Sequence, residues 1–464
     1  MTKSISHSLR ESKTARWSAL AIVSFTMLTG YFLTDVIAPL KGLLEGHLSW
    51  TSSDFGFFNS AYGWFNVFLG MLILGGIILD KMGVRFTGLM ATIVMVSGTA
   101  LKYWAVSTHL LDGQSWHILW FDVNAQVFLA ALGFGIFAVG VEVAGITVSK
   151  IIYKWFKGKE LALAMGLEMA TARLGTALAL ATSVPIAKAL GVTDVSRPIL
   201  LALILLCIGV LAFIIYIFMD KKLDASEPVK SSQTMEDEAF RMSDIIQIVT
   251  NKGWWYIAIL CVLFYSAVFP FLKYAADLMV NKFGVSDDLA GTIPSMLPFG
   301  TILLTPFFGS LYDRKGKGAS IMIIGAFLLI FVHTMFAIPF LNHWIISIIL
   351  ILILGVGFSL VPSAMWPSVP KIIPERQLGT AYALIFWVQN WGLMGVPALI
   401  GWVLEEYCIT GQTVRDGFTV NTYDYTLPMT IFAGFGVLAL LFAYLLKRED
   451  ELKGYGLQKP NIQH

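Results

Sequence analysis

Glu142 and Arg173 are an acid and a base set inside apolar runs, each run long enough to cross a bilayer. Between the runs lies a basic turn, KIIYKWFKGKE, in which Lys150, Lys154, Lys157 and Lys159 crowd against Trp155 and Phe156. A helical hairpin with its midpoint at Lys157 and Gly158 puts positions 142 and 173 about equally far from the turn, and a rise of ~1.5 Å per residue then brings them to similar depth. A charge at the centre of a bilayer costs at least ~2.5 kcal/mol, so two of opposite sign at one level either bind something or lock two helices as an ion pair. The planar fork of Arg173 suits a carboxylate, and Glu142 suits an ammonium. Amides are also costly in apolar surroundings, and Asn66, Gln389 and Asn390 are suited to bonding a peptide-like dipole.

The remaining polar residues of the apolar runs are open to plainer readings. Asp35 is a proton site, an ion-pair partner of a lysine, or a capped group near a helix end. His333 either titrates or is hydrogen-bonded between helices. Glu168 stands five residues before Arg173 and is turned ~140° from it, so it cannot be assumed to share the same cavity, and a packing or interface role is the first expectation there. Lys102 is expected to snorkel toward a helix end, and Lys273 and Asp277, four residues apart, to pair locally. Trp64, Trp366, Trp387 and Trp391 read as packing or interfacial anchors. Pro270, Pro294, Pro298, Pro362, Pro367 and Pro397 bend helices where neighbours can satisfy the freed carbonyls.

The elements that carry these residues follow from composition. With 57% hydrophobic and 13% charged residues among 464 and a mean hydropathy of +0.74, the chain has too little polar surface for a soluble globule. It reads as an all-α membrane protein of twelve spans, near 17–41, 55–79, 84–106, 119–149, 160–189 and 198–219, then 254–280, 288–311, 318–340, 344–368, 378–404 and 425–446. The first 16 residues show no cleavage pattern, so the first run is expected to be a retained span. A polar linker, 220–252, containing EDEAF and an amphipathic piece near 242–249, divides a first bundle, 1–219, from a second, 253–447, with a tail at 448–464. Most of the 32 lysines and arginines fall in the tails and loops of one side, which is expected to be the cytoplasmic side holding both termini. Cys207, Cys261 and Cys408 have no paired spacing, and neither a disulfide framework nor a metal site is indicated. No Walker sequence, HExxH or catalytic constellation appears, so a nucleotide-driven machine, an enzyme and a nucleic-acid binder are set aside and no cofactor is expected.

Internal repetition supports two halves. GGIILDKMGVR, with Gly76, Asp80, Gly83 and Arg85, is echoed by GSLYDRKGKG, with Asp313 and Arg314, and GKELALAMGL by ERQLGTAYAL. Parallel halves, each built from inverted three-helix units, characterise one large transporter fold. The Gly76, Asp80, Gly83 and Arg85 pattern resembles the signature loop of the major facilitator superfamily. WFKGKELALAMGLEMATARLG, FYSAVFPFL with NKFG, and MWP with PERQLGTAYA and QNWGL resemble more closely a branch of that superfamily that carries dipeptides out of lysosomes by uniport.

The resemblance implies a small-peptide transporter working by alternating access in a lipid bilayer, with Glu142 and Arg173 as its charged substrate pair. It also carries over Tyr62, Trp64, Asn66, Tyr265, Trp366, Gln389 and Asn390 to the substrate, Asp35, Glu168 and His333 to proton or charge sites, and the glycine, aspartate and arginine motif to a gate at the cytoplasmic interface. An accessory membrane subunit is allowed by the same likeness. The alternative is a proton-coupled carrier of amino acids, sugar acids or other small organic solutes. Without a lysosomal sorting signal or glycosylation sequon, the membrane expected is a bacterial inner membrane, or a lysosomal one if the chain is eukaryotic.

Overall fold

The computed structural model describes residues 11–118, 121–157, 159–226 and 242–461. Among them eleven helices are long and apolar enough to cross a membrane. The longest, α4 (Met71–Ser107), holds parts of two spans, because Gly83 at φ 76° and ψ 173° breaks the helix and reverses the chain. That conformation lies in the left-handed half of backbone space, which glycine enters without a Cβ penalty. With α3 (Ser52–Phe68) running into the first part of α4 through another left-handed glycine, Gly70, the count becomes twelve.

The first bundle comprises α1 (Lys13–Asp35), α3, α4, α5 (Ala125–Phe156), α6 (Leu161–Ala187) and α7 (Arg197–Ser226). The second comprises α9 (Lys252–Phe283), α11 (Thr292–Lys315), α12 (Gly318–Ala337), α13 (Trp344–Ile372), α14 (Leu378–Tyr407) and α15 (Thr426–Lys453). Short helices α2 (Lys41–Leu48), α8 (Met242–Val249) and α10 (Asp287–Ala290) lie between them. The expected linker begins inside α7, which continues to Ser226; its middle, including EDEAF, falls outside the described residues. Polar caps start the spans: Thr51 and Asp54 form a reciprocal box at α3, and the Asn124 side chain accepts from Gln126 N–H at α5.

Two antiparallel hairpins, β1 (Ser115–Ile118) with β2 (Phe121–Asn124) and β3 (Ile409–Arg415) with β4 (Phe418–Tyr423), stand at one end of the molecule. We call this the hairpin end, and the other, where α1 starts and α15 finishes, the terminal end. Asp416 and Gly417 both have positive φ, which makes the β3–β4 connection the tight two-residue turn that Asp-Gly favours.

The halves meet along α3 with α14 and α6 with α11. Gly56 permits a close approach: a methyl group there would fall 2.6 Å from the Pro397 carbonyl and 3.0 Å from Cα of Gly401. At the hairpin end the seam is closed by polar bonds between halves. Lys41 and Asp277 pair at 3.1 Å, His47 Nε2 and Asp416 at 2.8 Å, and Lys188 and Asp288 at 2.9 Å. The Asn421 N–H donates to Glu45 at 2.7 Å and the Ser52 N–H to Glu405 at 2.8 Å. The ion pairs described at the terminal end stay within the first half: Asp80 with Lys150 at 2.7 Å, and Arg85 and Lys154 with Asp220 and Asp224.

After α15 the chain turns through Gly454 and lies under the α11–α12 turn. Lys317 N–H donates to Gln458 O and Gly318 N–H to Leu457 O, both at 2.9 Å, with Leu457 fully buried. Asn461 takes hold of Asp313 twice, N–H to the backbone carbonyl at 3.0 Å and Nδ2 to the carboxylate at 2.8 Å.

Candidate functional site

A cavity of about 380 Å³ lies at the seam, within the range of small-molecule sites. Its walls come from α1, α3, α4, α5 and α6 of the first half and α9, α13 and α14 of the second. Ser149 and Met169, both exposed and both near the terminal ends of their helices, lie at its open side. Toward the hairpin end it is closed by Lys273, whose ammonium bonds Asp35 at 2.7 Å and the Thr34 carbonyl at 2.6 Å across the seam.

Glu142 on α5 and Arg173 on α6 both line this cavity. They do not pair with one another. Glu142 Oε1 accepts from the Tyr62 hydroxyl at 2.6 Å. The Arg173 guanidinium lies over three rings, Tyr31 at 5.9 Å, Phe269 at 5.5 Å and Phe358 at 5.1 Å from the centroids, and makes no hydrogen bond among the described residues. Stacking on aromatic faces fixes the guanidinium while leaving its N–H edge for a ligand.

Tyr265, Trp366, Gln389 and Asn390 line the same space. Trp366 Nε1 donates to Tyr265 Oη at 3.2 Å, and the Trp366 ring stacks on Phe386. Cys261 donates to Gln389 Oε1 at 3.6 Å; the Asn390 amide donates to its own helix at Phe386 O, leaving Oδ1 buried without a partner. Trp64 does not reach the cavity. Two residues past Tyr62 it points ~200° away, where it donates to Ser60 and packs on Phe57 and Phe128. Asn66 shares the Tyr62 face but sits one turn further, near where α14 covers α3 through the bond from Trp387 Nε1 to Val67 O at 3.0 Å. Both polar atoms of Asn66 are buried there without partners. His333 is fully buried outside the cavity, bonded to Ala267 O at 3.0 Å and packed between Phe271 and Phe432.

Three expectations require correction. Glu168 does line the cavity, because 168 with 172 and 169 with 173 form two adjacent i,i+4 rows and the cavity is wide enough to touch both. Lys273 and Asp277 do not pair: each meets an opposite charge from the first half, Asp35 and Lys41, at a seam their own helix cannot reveal. Lys102 does not snorkel. It is fully buried, without a hydrogen bond, its ammonium 5.1 and 4.6 Å from the ring centroids of Phe58 and Phe134. Tyr31 and Asn59 were missed, although Tyr31 precedes Asp35 by four residues and Asn59 precedes Tyr62 by three, spacings that share a helix face. Of the gate motif, Gly83 makes the α4 break; Asp80 and Arg85 bond inside the first half, and Asp313 bonds the tail. Gly76 and Arg314 lie on the same two turns.

A charge-lined cavity at the seam of two six-helix bundles, sealed at one end, is the arrangement of a membrane transporter. A sequence model of the Major Facilitator Superfamily matches residues 20–397 and again 271–460, and the chain belongs to that superfamily. It is 28% identical to the lysosomal dipeptide transporter MFSD1 of Mus musculus over 447 residues, covering 93% of this chain and 87% of that one. The Danio rerio protein of the same name is 27% identical over 396 residues, covering 83% and 80%. Among solved structures, a bacterial homologue of the human lysosomal transporter Spinster, inward-facing and unoccupied, superposes with a TM-score of 0.70 at 12% identity, over 94% of this chain and 98% of that one. A D-xylose–proton symporter superposes with a TM-score of 0.64 at 16% identity, over 92% and 97%. The fold is therefore that of the superfamily, and the chain is a membrane transporter.

Proposed function

We propose that this chain carries dipeptides across its membrane by alternating access, as a uniporter. The observation that carries the reading is the separate engagement of Glu142 and Arg173 on one cavity wall, each held by an uncharged group and neither neutralised by the other. A zwitterion supplies both missing charges at once, an ammonium to Glu142 and a carboxylate to the fork of Arg173. The unpartnered Asn390 oxygen offers an acceptor for a peptide N–H. The names of the relatives support the same substrate class. The excess of basic residues supports a cytoplasmic terminal end, and on that orientation the cavity is open to the cytoplasm.

Ligand binding to the folded chain must raise its melting temperature. A free dipeptide is expected to do so, with single amino acids, sugars, N-acetylated dipeptides and C-amidated dipeptides doing so far less. Equal stabilisation by both blocked peptides would make Glu142 and Arg173 a structural pair and remove the reading.

Uniport is supported by the state of two titratable candidates, since Asp35 is already paired with Lys273 and His333 lies outside the cavity. Dipeptide uptake into proteoliposomes should therefore leave the lumenal pH unchanged. A proton-coupled carrier is the reading favoured by Glu168, a second carboxylate on the wall with no ion pair among the described residues. Substrate-driven acidification that disappears in Glu168→Gln would establish it over uniport.

A further inference from the structure

The two halves repeat one another at the terminal end, and the repeat is broken in one place. Gly83 and Gly316 both take positive φ, each three residues after an aspartate, so Arg85 and Gly318 are counterparts two residues further on. Lys154 and Lys371 each stand seven residues before the first residue of the next span, Leu161 and Leu378. Phe213, Tyr216 and Asp220 on α7 are buried at the same spacing as Ala443, Leu446 and Asp450 on α15. In the first half these groups meet: Asp220 takes Arg85 at 2.7 Å and Lys154 at 2.8 Å. In the second half position 318 has no side chain, and Lys371 and Asp450 form no ion pair among the described residues. The segment after α15 stands between them. Leu457 N–H donates to Asp450 Oδ1 at 3.0 Å, and Lys371 donates to Gly456 O at 3.2 Å and Lys459 O at 3.0 Å. A Cβ at position 318 would fall 2.9 Å from Leu457 O, so an arginine there and the segment compete for one place.

We propose that residues 455–461 are a detachable strap that takes the place of the missing arginine and holds the terminal end of α13 in the open conformation, a role that rests on the alternating-access reading and on nothing about the substrate. Leu457 alone among these residues is buried, and the strap leaves α15 through Gly454 and Gly456, both at positive φ. Segments with few buried apolar groups open locally without unfolding the rest. What the strap holds is soft. Pro367 and Pro370 leave the carbonyls of Ser363 and Trp366 without their donors in α13, and the Tyr382 hydroxyl donates to the second at 3.1 Å. This stretch carries Trp366 of the cavity wall and is pinned just beyond the prolines, at Lys371. Closing the cavity at the terminal end requires it to move toward the first half, which the pin opposes.

Hydrogen exchange in the purified full chain tests whether the strap opens as one unit. The N–H groups of Leu457 and Asn461, and those of Lys317 and Gly318 that donate to the strap, should exchange together, and Asn461→Ala should speed all four by about tenfold. Acceleration confined to position 461 overturns the unit. Spin labels at the exposed positions Lys157 and Glu375, on the terminal connections of the two halves, should show the short-distance population rising about fivefold in Lys371→Met, and rising in the same direction in Asn461→Ala. A chain ended after Lys453 should melt lower than the parent. Tyr312→Leu with Gly318→Arg, which copies Leu79 and Arg85 of the first half, should raise the melting temperature of that shortened chain and lower that of the full chain. An effect of one sign in both backgrounds overturns the exchange of arginine for strap. Two distance populations whose ratio neither Lys371→Met nor Asn461→Ala changes remove the strap's role alone. A single distance in the parent, in both variants and in Asp277→Asn removes the alternating-access reading and the strap's role with it.

Discussion

Arg173→Gln should weaken dipeptide binding by some two to four orders of magnitude. Truncating one partner of a buried, hydrogen-bonded charge pair costs ~3–5 kcal/mol, much of it from the charge left unpaired, and here that charge is the carboxylate of the ligand. The guanidinium makes no ion pair in the empty cavity, so its removal should do less to the unliganded chain, whose losses are confined to stacking on Tyr31, Phe269 and Phe358. Isothermal binding measurements and melting curves of the empty protein separate the two. Glu142→Gln should act on the other end of the ligand, reducing discrimination against an N-acetylated dipeptide while Arg173→Gln reduces it against a C-amidated one. A large fall in the melting temperature of empty Arg173→Gln, with no change in that discrimination, would assign the residue to structure.

The second large effect is expected at the hairpin end. Asp277 is 5% exposed and holds together Lys41 of the first half, Arg415 of the β3–β4 hairpin and the Tyr425 hydroxyl. Asp277→Asn keeps the shape, removes the nearer counter-charge of Lys41, itself 2% exposed, and leaves it only Glu45 at 3.8 Å. The sealed state should lose ~3–5 kcal/mol, close to the ~5.5 kcal/mol that reverses a two-state equilibrium from 99:1 to 1:99. Spin labels at the exposed positions Leu190 and Val414, one on each half, should then report longer distances. Replacing both partners, Lys41→Met with Asp277→Leu, should recover part of the short-distance population, because an apolar pair carries no desolvation cost. Unchanged distances in Asp277→Asn would show that helix packing alone seals this end.

Much of the architecture was legible because each span must satisfy its own backbone in lipid, so hydropathy and loop charge define it almost locally. The depth match of Glu142 and Arg173 was legible for the same reason, being a property of one hairpin. What sequence could not supply was anything set by contact between distant spans. Lys273 has a suitable acid four residues away and yet takes Asp35, a partner more than two hundred residues distant, and Lys102 is accommodated by rings from two other helices. Glu168 was misplaced because a single angle from Arg173 says nothing about how wide the cavity is. The β3–β4 hairpin, by contrast, was readable: Asp416 and Gly417 sit between alternating residues of two short strands, and a search for helices alone passes over that signal.

The carboxyl-terminal segment has a practical and mechanical consequence. Its grip on Asp313 and on the turn through Lys317 and Gly318 makes it a tether attached to the α11–α12 turn, whose sequence repeats that of the α4 break. Gly316, at φ 67°, is shaped to that tether, since a methyl group there would fall 2.6 Å from the nitrogen of Pro460. Force applied beyond Asn461, whether from a fused tag, an antibody or a surface attachment, is therefore delivered to the α11–α12 turn and not to a loose end. Single-molecule pulling from this terminus would load the second bundle at the α11–α12 turn, which makes the attachment point a lever on that turn.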